Sequence, residues 1–177
     1  MPSKKELQAK PSILFKEKSM GEFTHIDDKG RVRMVDVSDK NLTSRKAVAK
    51  SSVFMNQDTF EAITDQKIKK GNVFETARIA GIMAAKKTAD LIPMCHPLAI
   101  THAAIDFTSD KANNAIHITA EVSVKGQTGV EMEALTAVSA AALTIYDMCK
   151  SYDKAMTITD ICLIEKTGGK SGHFRRE

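Results

Sequence analysis

Ile116-His117-Ile118-Thr119-Ala120-Glu121-Val122-Ser123-Val124 decides the fold of this chain. Side chains on a strand point alternately to its two faces. Ile116, Ile118, Ala120, Val122 and Val124 therefore share one face, and His117, Thr119, Glu121 and Ser123 share the other. Upstream, Ala103, Ile105 and Phe107 alternate with polar neighbours in the same way, and the intervening 109–114 are turn-rich. The two runs read as a hairpin with one buried face. Downstream, Gly126-Gln127-Thr128-Gly129 leads into a helix from Val130 to about Ser151, small and apolar through Ala142. Thr128-x-x-Glu131 reads as the capping box at its start. Met156–Glu165 follows as a last strand.

On the N-terminal side, Arg33–Val37 and Lys46–Met55 read as extended, Val53 and Met55 continuing the alternation of Ala47 and Ala49. Asp58-x-x-Glu61 reads as a capping box opening a short helix. Asn72-x-x-Glu75 opens a longer one to about Leu91, stopped by Pro93. Its apolar residues Val73, Ala77, Ala80, Ala84 and Ala85 are small enough for close helix packing. The order is strand, helices, hairpin, helix, strand. That is the β-α-β-β-α-β pattern of a ferredoxin-like α+β sandwich, an antiparallel sheet with helices packed on one face and an extra strand at the front. Residues 1–20 read as a flexible basic leader, residues 21–177 as a single domain carrying the chemistry, and Gly168–Gly172 as a flexible tail.

Composition narrows the function. At 177 residues the chain suits one domain, which can bury roughly 70% of its unfolded surface. Cys95, Cys149 and Cys162 are odd in number and form no Cys-x-x-Cys pair. Neither a disulfide framework nor a zinc tetrad is implied, and reduced thiols point to the cytoplasm. No apolar run approaches the roughly 20 residues of a membrane span, and no secretory signal is visible. A net charge of +4 with no tryptophan suits an anionic small molecule better than nucleic acid.

The residues that can carry chemistry lie at a few points. Pro93-Met94-Cys95-His96-Pro97 holds His96 in an extended backbone between two prolines. It reads either as a hydrogen-bonding or proton-transferring imidazole or as a half-buried histidine satisfying a local carbonyl. Glu131 and Glu133 favour the positive end of their helix, and Glu131 also belongs to the capping box. A helix start with paired carboxylates is a poor phosphate site. It suits a ligand edge with paired N–H donors, such as the amidine side of guanine or pterin. Asp147 stands where the helix dipole disfavours an anion, at i, i+3 spacing from Lys150. Lys70, in Lys69-Lys70-Gly71, reads as solvated charge or as a lysine aimed at phosphate. Arg45 and Lys166 flank strands and are equally ambiguous. Gly169-Lys170-Ser171 is not a phosphate loop, because position 164 is isoleucine rather than glycine.

Taken together, Lys70-Gly71-Asn72-Val73-Phe74, Ala77-Arg78-Ile79-Ala80-Gly81, Leu91–Leu98, Gly129–Ala137 and Leu143–Lys150 resemble the cyclic pyranopterin monophosphate synthase family, molybdenum cofactor biosynthesis protein C. The resemblance runs from about Phe23 to the C-terminus. It implies a ferredoxin-like subunit and a homohexamer, a trimer of dimers with active sites at subunit interfaces. The substrate it implies is 3′,8-cyclo-7,8-dihydroguanosine 5′-triphosphate, converted to cyclic pyranopterin monophosphate with release of pyrophosphate. By motif, Asp147 takes the active-site position, and Lys70 and Lys150 the acid/base and phosphate positions. Met94, Cys95, His96, Met132 and Glu133 take substrate-binding positions, with Glu131, Arg45 and Lys166 lining the site. No cofactor is implied, with room for a divalent ion accompanying the triphosphate, and neither nucleic acid nor membrane is a partner. On this reading a lysine crowded by other cations has its pKa pulled toward neutrality and shuttles protons. The competing readings are a non-catalytic ferredoxin-like module that binds a nucleotide or pterin, and a metal-assisted phosphohydrolase.

Overall fold

The computed structural model describes residues 29–177; the leader 1–20 lies outside the described residues. The elements in chain order are β1 (Thr43–Phe54), α1 (Gln57–Thr64), α2 (Val73–Lys86), α3 (Thr88–Leu91), β2 (His102–Asp110), β3 (Ala115–Gly126), α4 (Glu131–Cys149), β4 (Thr157–Thr167) and β5 (Phe174–Arg175). They form one sheet in the order β2-β3-β1-β4-β5, antiparallel throughout. The first four strands have the ferredoxin-like arrangement.

The alternation of β3 is realised residue by residue: Ile116, Ile118, Ala120, Val122 and Val124 are buried, while His117, Thr119, Glu121 and Ser123 are not. Cross-strand partners Ala47 opposite Val122 and Ala49 opposite Ala120 carry small side chains onto the same face. α4 lies there with Ala134, Ala137, Val138, Ala141, Ala142 and Ile145 buried. Small residues on both sides let helix and sheet approach closely. α2 packs beside α4, and Gly81 is the closest point: a Cβ there would lie 2.2 Å from Ile105 Cδ1 and 2.9 Å from the Ala137 carbonyl oxygen. The second obstacle is backbone and cannot yield. Gly81→Ala is expected to destabilise by about 1–3 kcal/mol despite alanine's helix preference. A thermal melt should show a fall of roughly 2–4 °C per kcal/mol.

Several boundaries differ from those read in the sequence, each for a local reason. α1 is capped by Asn56, whose side chain accepts from the Thr59 N–H at 2.8 Å, and not by Asp58. Asn72 caps α2 as read. That helix stops at Lys86, and Lys87, at φ −114°, separates it from the single turn of α3. The Thr128 capping box does not form. α4 begins at Glu131, so this glutamate occupies the first helical position and cannot fold back as the third residue of a box. Arg33–Val37 is not a strand. Asp36 accepts from the Ser38 N–H and hydroxyl at 2.9 and 2.7 Å, turning the chain there. The extra strand comes instead from the tail, where β5 pairs with β4 and Arg176 Nε donates to the Leu163 carbonyl at 2.8 Å. At the opposite border, the Arg78 guanidinium donates to the Ile105 carbonyl of β2 and lies 5.2 Å from the Phe107 ring centroid.

Candidate active site

Two groups of the expected residues stand at opposite ends of α4. The first lines a 430 Å³ cleft. The α3–β2 connection contributes Met94, Cys95 and His96, the start of α4 contributes Glu131, Met132 and Glu133, and Val35, Val37 and Lys40 close a third side. The sequence reading has this segment extended between its prolines, but Pro93 and Met94 form a turn closed by the Cys95 N–H on the Ile92 carbonyl at 3.0 Å, and the chain is irregular from Cys95 to Pro97. The bend at Asp36 brings the third side across it. His96 Nε2 lies 2.8 Å from the Val35 carbonyl oxygen. A carbonyl can only accept, so Nε2 carries the hydrogen and Nδ1 is left for a ligand.

Glu133 is 3% exposed. Burial pushes its carboxyl pKa up, its own backbone N–H pulls it down, and the charge of Glu131 raises it again; among the described residues no cation contributes to holding it ionised. Glu131 is compensated, its Oε1 2.7 Å from Lys166 Nζ. The Cys95 thiol is pushed up by burial and by the charge of Glu133, so it stays protonated. Gly129 gives the Glu131 carboxylate its place, since a Cβ there would fall 1.8 Å from Oε2. Gly129→Ala should swing that flexible carboxylate off Lys166. Steady-state kinetics should show kcat/KM down about tenfold, one weakened charge-assisted hydrogen bond, with Tm nearly unchanged.

Arg45 is held at the rim. Its Nε and Nη2 donate to the carbonyls of Gly126 and Gln127, each at 3.0 Å, and tie β1 to the loop that launches α4. It positions that loop and forms no ion pair among the described residues.

The second group lies at the far end of α4. Lys150 Nζ is 2.6 Å from Asp147 Oδ1, and Lys70 Nζ donates to the Asp147 carbonyl at 2.7 Å. All three side chains are exposed. The hydrogen bond from Lys150, then the charges of Lys150 and Lys70, lower the Asp147 pKa. The same pairing raises that of Lys150. Within the single chain, pairing with Asp147 sets the direction of the Lys150 shift, opposed only by desolvation. The buried Cys149 thiol is pushed up to about 11, Lys70 pulling weakly the other way. Fourteen helical residues separate Glu133 from Asp147, a rise of about 21 Å. Within one protomer the two groups do not share a cavity.

A sequence model of the MoaC family matches residues 34–169. The chain belongs to the MoaC family. Among relatives, the cyclic pyranopterin monophosphate synthase of Desulforapulum autotrophicum is 64% identical over 155 residues, 88% of this chain and 95% of its own length. Those of Desulfatibacillum aliphaticivorans and Heliobacterium modesticaldum are 61% and 58% identical over 158 residues, each covering 89% of this chain and 99% of their own length. In this MoaC-family chain the structure adds cleft residues that the sequence reading did not assign to the site: Val35, Val37, Lys40, Leu98, Thr128 and Gly129. Val35 and Val37 fall within the strand that the sequence pattern predicts, and Lys40 sits in a turn with no pattern to mark it. No cluster of three or more His, Cys, Asp or Glu side chains able to hold a metal occurs among the described residues.

Proposed function

We propose that this chain is a lyase of molybdenum cofactor biosynthesis, converting 3′,8-cyclo-7,8-dihydroguanosine 5′-triphosphate to cyclic pyranopterin monophosphate with release of pyrophosphate. One observation carries the reading beyond family membership: residues 94–96 and 131–133, from distant parts of the chain, line one cleft with a buried carboxylate in it. Glu133 is matched to the paired N–H donors of a guanine-derived ring. Such a pair satisfies both carboxylate oxygens and compensates a group that burial otherwise pushes toward neutrality.

The second group supplies the phosphate chemistry. A substrate hydroxyl attacks the α-phosphorus and its proton passes to solvent, the bond to the bridging oxygen breaks, and pyrophosphate leaves with that electron pair. The ammonium groups of Lys70 and Lys150 stabilise the negative charge that develops there. Asp147 positions Lys150 and keeps it protonated, so Lys150 enters the reaction as an acid. A divalent ion enters only as the counter-ion of the triphosphate.

The separation of about 21 Å along α4 supports sites built from two protomers, the cleft of one completed by Lys70, Asp147 and Lys150 of another. The proposed assembly is a homohexamer, a trimer of dimers. Ile79 and Met83 on α2 and Leu143 on α4 are exposed apolar residues suited to such contacts. The proposed location is the cytoplasm, in keeping with three free cysteines. No helix among the described residues is long and apolar enough to cross a membrane.

The test incubates the purified chain with the cyclised triphosphate and measures pyrophosphate together with the pterin product. Stoichiometric release of both supports the enzyme. Recovery of unchanged triphosphate from a tight complex would support the non-catalytic binding module instead.

A further inference from the structure

Residues 34–40 close the third side of the cleft without belonging to any helix or strand. Val35 and Val37 are half-buried and line it, while Met34, Asp36 and Ser38 are exposed. The segment makes bonds of its own. The Lys40 N–H donates to the Val37 carbonyl at 2.9 Å, and the Asp36 carboxylate accepts from Ser38. Those bonds shape this strap, and two side chains from the body of the protein hold it over the cleft. His96 Nε2 donates to the Val35 carbonyl, and Gln127 Nε2 donates to the carbonyls of Ser38 and Lys40 at 3.2 and 3.0 Å.

Gln127 can hold the strap because its own backbone is held. Its carbonyl accepts from Arg45 Nη2 and the Gly126 carbonyl from Arg45 Nε, and Arg45 stands on β1, the central strand of the sheet. Both partners of the Gln127 side chain are carbonyls, so its NH₂ faces them, with one hydrogen for each. Glutamate has the same shape, but ionised it offers only acceptors. The grip reaches the imidazole through the strap. The Val35 carbonyl is what keeps the hydrogen on His96 Nε2. A strap that lifts takes that acceptor away and leaves the two tautomers free to exchange.

We infer that Gln127 is a positioning residue for the proposed reaction: its amide seats residues 34–40 across the ring cleft and, through the Val35 carbonyl, holds His96 with Nδ1 open to the substrate. This role rests on the function proposed above and deepens it. The seated strap gives the substrate ring an apolar wall of Val35 and Val37 and a fixed acceptor at His96. With the strap unseated, binding has to order it first, and affinity falls by the fraction of chains in which it is closed. The loss therefore falls on binding rather than on the chemical step.

The experiment compares the wild-type chain with Gln127→Glu and Gln127→Ala. Backbone hydrogen exchange, read by mass spectrometry, should quicken about tenfold in peptides covering 34–40, the effect of one lost hydrogen bond, and stay unchanged in β1. Nitrogen-15 NMR of the free chains should show one His96 tautomer in wild type, with the hydrogen on Nε2, and a mixture in both variants. KM for the cyclised triphosphate should rise about tenfold, with kcat within about twofold of wild type. Unchanged exchange at 34–40 overturns the role of Gln127. So does exchange that quickens equally in β1, which marks a general loss of fold. Faster exchange at 34–40 with KM and the His96 signals unmoved overturns it as well. If the wild-type chain makes no product, the proposed function fails by itself, and exchange together with the His96 signals still decides whether Gln127 seats the strap.

Discussion

Asp147→Asn abolishes most product formation, a loss of about 10²–10⁴ in kcat, the range for removing a group that governs proton transfer. Asparagine keeps the shape and can still accept from Lys150, so the variant folds. It loses the ion pair that raises the Lys150 pKa and frees that lysine from a fixed geometry. The decisive measurement mixes protomers. Chains carrying Asp147→Asn and chains carrying Glu133→Gln, each assayed alone for its residual turnover, are unfolded together in equal amounts and refolded. If the cleft and the Asp147 group meet only across a subunit boundary, about one quarter of the sites combine two intact halves in a symmetric assembly. Recovery of roughly that fraction of wild-type turnover is the expected result. No recovery, with mixed oligomers present, would assign both halves to one chain and break the interface reading.

Glu133→Gln is the second large effect, and it acts in two directions. In catalysis it replaces a charge-assisted hydrogen-bond partner with a neutral one. The expected loss is about 1.5–3 kcal/mol, or roughly 10–150-fold in kcat/KM. In stability it is a gain. Burial raises the folded-state pKa of Glu133 above its unfolded value. The ionised group therefore opposes folding at every pH above the folded value. The opposition fades as pH falls through that value and is gone below the unfolded one. Melting temperatures of the free chains should put Glu133→Gln above wild type at neutral pH, the difference shrinking toward pH 4. A variant less stable than wild type at pH 7 would mean that the carboxylate has a compensating partner.

Much of the fold was written in side-chain period. The buried alternation of β3, the small-residue face of α4 and the Asn72 cap of α2 are strong local signals that agree with the tertiary packing. What the sequence hid were competitions between local bonds. Thr128-x-x-Glu131 has the spelling of a cap, yet Glu131 is claimed by Lys166, thirty-five residues away in the chain. Arg33–Val37 has the composition of a strand, yet Asp36 turns the chain through its own side chain. The candidate site divides along the same line. Proline-bracketed His96 and the misplaced anion Asp147 break local rules and so are visible. Lys40 breaks none, and only the approach of the pre-β1 segment to α4 gives it a neighbour.

The borders of the sheet bear on how copies of the chain can associate. A bare outer strand offers a row of unpaired backbone groups to any second molecule. Here the tail lies along β4, with Arg176 taking one further carbonyl, and Arg78 reaches from α2 to blunt β2 at Ile105. Two arginines far apart in the sequence thus act as guards against edge-to-edge growth of the sheet. A variant that removes either guard is the place to look for fibrous or open-ended assembly.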